Sequence, residues 1–252
     1  MNKMYLCLIF LTISCSKSID KPNLLFIIVD DLGWTDVSYN GSDYYETHNI
    51  DALSLNSMLF YNAYAASPVC SPTRASIMTG KHNVRINITD WIPGLEESPN
   101  YNNKNKPLIG PKDLDELPLD EITIAEVLKD NGYKTFYSGK WHLGSKGHYP
   151  EDQGFDVNVG GFEKGSPMGG YYSPYKNPNL SDGPKGEYLT DRLTQETIDF
   201  IDSSDDSKPF AAFLSFYNVH TPIQENKEFY DYYVEKLNGY DDKDPVTKKE
   251  GD

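Results

Sequence analysis

The sequence predicts an α/β fold in which helices flank a central, mostly parallel β-sheet. Two apolar runs support this prediction, LLFIIV at residues 24–29 and FAAFLSFYNV at residues 210–219. Both are short, β-branched or aromatic, and without regular polar alternation, which is typical of strands buried on both faces of a parallel sheet. Stretches with helical periodicity lie between them, so the order strand, helix, strand, helix, strand indicates crossover connections.

Capping residues and periodicity place the remaining elements. Pro72 favours the first turn of a helix for which Ser71 is the predicted N-cap, and Gly132 is predicted to end another helix. The stretches 92–120 and 144–188 are rich in Gly, Pro and polar residues, which predicts loops of a length that is usually functional or disordered. We predict helices over 49–60, 72–79, 121–131 and 189–202, strands over 24–29, 133–137 and 210–219, and a short extended segment over 61–66.

The 252-residue chain is acidic, with a formal net charge of −15 from 23 basic and 38 acidic residues. Binding to phosphates needs a basic face, so this charge argues against nucleic acid as a partner. It does not exclude an anionic substrate, because a local cluster of cations in a cleft reverses the field there. The length suits one large domain or two small ones.

The first fifteen residues are typical of an export signal peptide. Lys3 supplies a positive start and residues 4–13 form a short apolar run. The run is too short to span a bilayer, which needs about 20 apolar residues. The string Ile-Ser-Cys-Ser also resembles a bacterial lipoprotein processing site, with Cys15 as the lipidated residue, so a cleaved signal and a lipid anchor both remain open. We expect a bacterial protein in the periplasm or at the outer membrane, with membrane contact only through a lipid on Cys15.

Cysteine usage singles out one residue of the mature chain. Cys7 and Cys15 lie in the signal region, which leaves Cys70 without an internal disulfide partner. Cys70 begins the string Cys-Ser-Pro-Thr-Arg, which continues to a Thr-Gly pair. This string resembles the signature of the formylglycine-dependent sulfatases, the arylsulfatase-like members of the alkaline phosphatase superfamily. The resemblance implies that a formylglycine-generating enzyme oxidises Cys70 to formylglycine, whose hydrated aldehyde hydrolyses sulfate esters.

The spacing within this string has a physical reason. If Ser71 caps a helix that Pro72 opens, residue 70 sits at the helix N-terminus, where free N–H groups and the helix dipole favour an anionic sulfate. Arg74 lies four residues on and therefore on the same side of the helix. Its guanidinium can contact an oxygen of residue 70 or of a bound ligand.

A second string, Gly-Lys-Trp-His-Leu-Gly at residues 139–144, resembles another signature of the same family. In an extended segment residues i and i+2 point the same way, so Lys140 and His142 can face one site. The resemblance implies that Lys140 contacts the sulfate and that His142 takes a proton when sulfate leaves residue 70. Taken alone, the pair is also compatible with a surface lysine and a core histidine.

Asp30 and Asp31 directly follow the first predicted strand. Adjacent carboxylates at the end of a buried strand need a positive partner, and the chain must turn between them if both are to bind one ion. Oxygen ligands favour Ca²⁺ or Mg²⁺ over zinc. The resemblance implies that Asp30 and Asp31 bind Ca²⁺, or Mg²⁺, beside residue 70, with the side chain derived from Cys70 as a further ligand.

His220 follows the last predicted strand, in the string Asn-Val-His-Thr-Pro. Functional groups of α/β folds collect at the carboxyl ends of the strands. The family carries a His-x-Pro here, which implies that His220 contacts the sulfate and protonates the leaving oxygen.

Weaker similarities concern the substrate. The strings at residues 88–94 and 172–178 resemble bacterial sulfatases that act on polysaccharides, and tyrosines of the second string either stack on sugar rings or pack within the loop. We expect a sulfated small molecule or glycan as substrate, with sulfated carbohydrate favoured. Two alternatives remain, a phosphonate or phosphate monoester hydrolase of the same superfamily and a non-catalytic sulfoglycan-binding protein.

The resemblance identifies residues 22–252 as an N-terminal catalytic sulfatase domain. In the family, further metal ligands and a second sulfate-contacting lysine come from a later strand. No matching strand follows Pro222, and Asp241, Asp242 and Asp244 lie in a polar tail. We expect a fold that is incomplete at its C-terminus, and a chain that by itself binds metal weakly and turns over little or no substrate.

Overall fold

The computed structural model describes residues 21–93, 112–205 and 207–239. The predicted export signal, the middle of the loop 92–120 and the polar tail lie outside these residues. Four parallel strands form one sheet, in the order β1-β4-β2-β3, which confirms the predicted α/β class. The strands are β1 (Leu24–Ile28), β2 (Lys134–Gly139), β3 (Val157–Val159) and β4 (Phe210–Ser215). The helices are α1 (His48–Ser54), α2 (Cys70–Thr79), α3 (Asn83–Ile86), α4 (Ile124–Asp130), α5 (Leu189–Asp202) and α6 (Tyr230–Asn238).

Apolar side chains of the central strand β4 point alternately to the two faces of the sheet. Phe213 lies in the cluster that includes residues of α2 and α4, and its ring stacks on Phe26 of β1 at a centroid distance of 4.2 Å. Leu214 lies on the other face, in the cluster with Leu189 and Leu193 of α5. Every residue of β4 is buried, so the sheet is covered by helices on both faces at its centre, as is typical of parallel sheets.

The position of β1 differs from the prediction. We expected a central strand buried on both faces, but β1 is an edge strand whose residues alternate between half-buried and exposed. The side chains of Leu25 and Ile27 are 49% and 55% exposed. In the part of the chain that the structure describes, no helix covers that face of β1. The apolar run correctly predicted a strand, but the predicted burial of that strand on both faces was wrong.

Several element boundaries also differ from the prediction. Helix α2 begins at Cys70 with Val69 as N-cap, two residues earlier than predicted, and the hydroxyl of Ser71 accepts a hydrogen bond from Ile92 instead of capping the helix. The extended segment predicted over 61–66 forms no strand. Short or half-exposed elements were missed, namely α3, β3 and α6. The described residues include no helix long and apolar enough to cross a membrane.

Helix α4 ends just before Gly132, as predicted, but it begins at Ile124, three residues later than predicted. Thr123 and Glu126 form a reciprocal capping box, in which each side chain accepts the other residue's backbone N–H. Gly132 adopts a φ of 85° just after the helix, a conformation that glycine adopts without a side-chain penalty. This turn feeds the chain directly into β2, at whose far end the signature residues lie.

Candidate active site

Three parallel strands bring the predicted site residues to one edge of the sheet. β1 is followed by Asp30, β2 by Lys140, and β4 by the segment that carries His220. Backbone hydrogen bonds join these ends: Asp30 N–H donates to the carbonyl of Asn218 at 2.8 Å, and Lys140 N–H donates to that of Ser215 at 2.8 Å. The carboxyl-end rule for α/β sheets therefore holds here.

Cys70 occupies the first turn of α2 and faces His142. Its thiol is free and half-buried, and its sulfur lies 3.3 Å from Nδ1 of His142. Burial raises the pKa of the Cys70 thiol above its ordinary value, although the N–H of Ser71 and the charge of Arg74 oppose this shift. In this form the side chain is a poor nucleophile at neutral pH, because the thiolate is the reactive species.

The ring of His142 is held between Cys70 and the carbonyl of Ile92, which contacts Nε2. A carbonyl can only accept a hydrogen bond, so Nε2 carries the proton and Nδ1 presents its lone pair to residue 70. Burial, with a contribution from Lys140, lowers the pKa of His142 from its ordinary 6.5 to about 3. His142 is therefore neutral at physiological pH and acts as a proton acceptor toward residue 70.

The backbone at His142 is not extended, contrary to the geometry assumed from the sequence. β2 ends at Gly139, and His142 has a left-handed φ of 58°. Lys140 and His142 still serve one site, but they reach it in different directions. Lys140 contacts Asp30, whereas His142 contacts Cys70. Left-handed non-glycine residues of this kind are concentrated at functional sites.

Lys140 and Arg74 form a buried charge cluster with Asp30. The ammonium of Lys140 contacts Oδ2 of Asp30, and Nη2 of Arg74 lies 3.5 Å from Oδ1. All three side chains are less than a tenth exposed. Burial lowers the pKa of Lys140 to about 7, while the adjacent carboxylate opposes this shift by favouring the charged ammonium. The positive partner that the sequence demanded for Asp30 is thus supplied by two residues of the same site.

Arg74 is directed beneath the site. Its Nη1 donates to the carbonyl of Lys140 at 2.6 Å and to the hydroxyl of Ser215 at 2.7 Å. The sequence predicted that Arg74 contacts an oxygen of residue 70 or of a bound ligand. In the structure its guanidinium faces Asp30 instead, and it forms no hydrogen bond with residue 70. Nε and Nη2 of Arg74 are buried without a hydrogen-bond partner, an arrangement that carries a free-energy cost unless an anion or water satisfies them.

Asp31 and His220 lie on the solvent side of the same edge. Asp31 has a left-handed φ of 62°, so the chain turns between the two aspartates as the sequence required. Its carboxylate lies 3.8 Å from Nε2 of His220, and Nδ1 of His220 lies 2.9 Å from the carbonyl oxygen of Thr221. His220 lines the same cavity as Cys70 and His142, and its Nε2 faces the carboxylate of Asp31.

The fit of the site to a divalent cation is partial. The carboxylates of Asp30 and Asp31 have the oxygen chemistry that Ca²⁺ and Mg²⁺ prefer. Among the residues described here, however, no group of three or more His, Cys, Asp or Glu side chains is placed to hold a metal ion. Asp30 is also engaged by Lys140 and Arg74. These residues can contribute to a metal site, but they do not complete one.

Two cavities meet at residue 70. One, of about 420 Å³, is lined by the two aspartates, Cys70 and Arg74. The other, of about 320 Å³, is lined by Cys70 with both site histidines. Residue 70 thus borders two cavities: one contains the charged side chains of Asp30, Asp31 and Arg74, where a metal would lie, and the other contains the histidines, where a substrate would enter.

Comparison with known proteins gives the family of the chain. The sequence model of the sulfatase family matches residues 22–245, which is most of the chain. The chain belongs to the sulfatase family.

Relatives of this sulfatase chain include arylsulfatases of mammals. Mouse arylsulfatase J is 31% identical over 231 residues, which cover 86% of this chain and 36% of the mouse protein. Human N-acetylgalactosamine-6-sulfatase is 29% identical over 227 residues, which cover 82% of this chain and 41% of the human protein. The chain therefore spans less than half the length of these relatives.

Solved structures agree with the fold. The structure of Ps i-CgsB in complex with a neocarrahexaose matches with a TM-score of 0.66 and 29% identity, over 90% of this chain and 51% of the other. The structure of BT4656 in complex with its substrate D-glucosamine-2-N,6-O-disulfate matches with a TM-score of 0.66 and 25% identity, over 86% of this chain and 38% of the other.

Three residues of the sulfatase site were missed in the sequence. Ser215 anchors Arg74, the carbonyl of Ile92 fixes the tautomer of His142, and Gly165 passes so close to the His142 ring that a Cβ there would lie 2.5 Å from Nδ1. Ser215 ends β4 but lies in the interior of the strand predicted over 210–219, so no signal in the sequence marked it. Ile92 belongs to the string 88–94 that was noted for its similarity to polysaccharide sulfatases, but its contact with His142, like that of Gly165, depends on packing across the fold.

Proposed function

We propose that this chain is part of a sulfuric ester hydrolase that acts on sulfated carbohydrate through a formylglycine at position 70. The observation that carries the proposal is the 3.3 Å contact between Cys70 and the unprotonated Nδ1 of His142, next to the buried cations Lys140 and Arg74. A nucleophile at a helix N-terminus, next to a base and to positive charge, suits attack on an anionic ester.

The chemistry at position 70 follows from this arrangement. A hydrated aldehyde supplies two hydroxyl groups, one to attack sulfur and one whose later deprotonation releases sulfate. Nδ1 of His142 accepts a proton from residue 70, because its lone pair already faces that side chain. Without the second hydroxyl, a sulfate ester at this position would have no internal route to release, which is the reason for an aldehyde in place of serine.

Charge stabilisation and leaving-group protonation fall to the remaining residues. Lys140 and Arg74 stabilise negative charge that develops on sulfate oxygens. His220 lines the same cavity as His142 and donates a proton to the departing alcohol oxygen. Asp30 and Asp31 would hold Ca²⁺ or Mg²⁺, with the side chain of residue 70 as a further ligand, and such an ion would polarise the sulfate. The remaining metal ligands would come from outside the described residues.

A carbohydrate substrate is supported by the structural neighbours and by the cavity. The neighbours Ps i-CgsB and BT4656 were solved with a neocarrahexaose and a disulfated glucosamine. The cavity of about 320 Å³ on the histidine side is at the lower end of the range for small-molecule sites, a size that suits one sugar ring. A bacterial export route, with the formylglycine-generating enzyme as partner, completes the proposal.

Mass spectrometry of the protein co-expressed with a formylglycine-generating enzyme tests the proposal. Conversion of the Cys70 thiol to an aldehyde lowers the mass of its peptide by about 18 Da, and Cys70→Ala is the matched control without the change. The converted protein should release sulfate from a sulfated sugar when its full-length form is used. A thiol that stays unmodified while a control sulfatase is converted would contradict the proposal and favour a sulfoglycan-binding protein. Release of phosphate but not sulfate would favour the phosphate ester alternative.

A further inference from the structure

The cavity beside residue 70 has a wall that the proposed chemistry does not use. Besides the two histidines and residue 70, the cavity is lined by Trp91 and by the loop that contains Lys164 and Ser166. The indole of Trp91 is 42% exposed and Lys164 is exposed. A large aromatic side chain left partly open at the mouth of a reactive cavity is available for contact with a ligand.

The backbone that carries Trp91 is fixed on both sides. The carboxylate of Asp113 accepts the N–H groups of Thr89 and Asp90, each at 2.8 Å. The carboxylate of Asp90 in turn accepts the N–H of Trp91 at 2.8 Å. These bonds hold the segment before the indole, so its position does not depend on the indole's own packing.

The segment after Trp91 is tied to the reacting residues. Ile92 N–H donates to the hydroxyl of Ser71, the residue next to Cys70, at 3.1 Å. The carbonyl of Ile92 contacts Nε2 of His142. The short segment that carries Trp91 is therefore hydrogen-bonded both to the start of α2 and to His142. Such a mounting gives a platform that is already in place before a ligand binds.

The chemistry of the wall matches a sulfated sugar ring. The axial C–H faces of a pyranose are weakly positive and apolar, and they pack on the negative face of an indole. Lys164 lines the same cavity and adds a positive charge for a further anionic group of the sugar, while the neighbouring carboxylate of Glu163 accepts a hydrogen bond from the hydroxyl of Tyr149. A cavity of about 320 Å³ holds one ring and leaves the rest of a chain outside.

We propose that Trp91 is the stacking platform for the sugar ring that carries the ester, and that it positions this ring above residue 70. This inference deepens the proposed function and rests on it. Trp91 contributes to binding and orientation of the sugar, whereas proton transfer remains with the histidines. Substrate selection would then depend on the shape of one ring face in addition to the sulfate itself.

A fluorescence titration tests the platform without any turnover. The chain contains three tryptophans, of which Trp141 is fully buried and Trp34 is highly exposed. Addition of a 6-O-sulfated monosaccharide should change the emission of the wild-type protein and of Trp34→Phe, and should leave that of Trp91→Phe unchanged. A response that persists in Trp91→Phe, or that is absent in the wild type, would overturn the platform.

Kinetics of the full-length, formylglycine-bearing protein supply the second arm. Trp91→Ala should raise KM for the sulfated sugar about tenfold, and Trp91→Tyr should restore most of the affinity, because a ring is what the platform needs. Unchanged KM and kcat in Trp91→Ala would overturn the platform while the hydrolase proposal stands. A converted wild-type protein that releases no sulfate from any ester would instead refute the hydrolase proposal, and the titration would still decide the platform.

Discussion

A single added methyl group at Gly165 should disable the base of the proposed reaction. A Cβ on Gly165 would lie 2.5 Å from Nδ1 and 2.7 Å from Nε2 of His142, and closer still to Cε1. Ordinary contact begins near 3.4 Å, so the ring or the loop must move by about 1 Å. Both ring nitrogens of His142 are in contact with partners, Ile92 and Cys70, so the ring cannot shift without losing one of these contacts. Gly165 itself has no left-handed φ, so the effect of alanine is steric.

The expected size of this effect follows from the displacement. Overpacking of about 1 Å in a buried site costs about 1–3 kcal/mol of unfolding free energy, and a misplacement of this size lowers kcat roughly 100-fold. Urea unfolding and sulfate release by the full-length protein measure the two quantities. Gly239→Ala is the control, because its Cβ would meet only one atom, a carbonyl oxygen at 3.5 Å. If Gly165→Ala matches Gly239→Ala in both assays, the assigned role of the His142 ring position is wrong.

Three further changes probe the site and the fold. Because His142 has a pKa near 3 in the folded chain and an ordinary pKa of 6.5 when unfolded, the unfolded state binds more protons between these values. Stability should therefore fall as pH drops through this window, by up to about 1.4 kcal/mol per pH unit, and unfolding curves of His142→Gln should lack this component. Lys140→Met leaves the buried carboxylate of Asp30 with only the longer Arg74 contact, so it should lower the free energy of unfolding by about 3–5 kcal/mol. The double variant Lys140→Met with Asp30→Asn should recover part of this loss, because it also removes the buried negative charge. Thr123→Ala removes the capping box and should lower the denaturation midpoint by an amount equivalent to about 1 kcal/mol, whereas Thr123→Ser should stay near wild type.

The balance of charge at the site has a consequence for the reaction. Asp30 is paired with Lys140 and Arg74 inside the described chain, although its proposed role is to bind a cation. A divalent ion that took this carboxylate would weaken its hold on both basic side chains. They would then be available to an anionic ester, so metal binding and sulfate binding should favour each other.

Local sequence was sufficient for much of the fold. Two apolar runs gave β1 and β4, the segment after Gly132 gave β2, and the periodicity of residues 189–202 matched α5 at both ends. The Thr123–Glu126 capping box and the left-handed Gly132 are likewise properties of a few adjacent residues. Elements that bury little surface of their own were missed, since α6 has no buried residue and β3 has only three residues.

Convergence of the candidate site was also predictable. Parallel strands place their carboxyl ends at one edge, so residues that follow β1, β2 and β4 had to meet there. The family signatures singled out His142, which follows β2, and Cys70, which lies at the start of α2 and follows no strand, and the structure brings the two into contact. Chain order and strand direction thus predicted where Asp30, Lys140 and His220 meet, whereas Cys70 and Arg74 of α2 were predicted from the family signature alone.

Only the tertiary structure decided how those residues face one another. Spacing placed Arg74 near residue 70, yet the guanidinium turns to Ser215, which lies 141 positions away in the chain. The tautomer of His142 depends on the carbonyl of Ile92, and the room for its ring depends on Gly165. Side-chain direction follows from partners that are distant in sequence, and a local pattern carries no information about them.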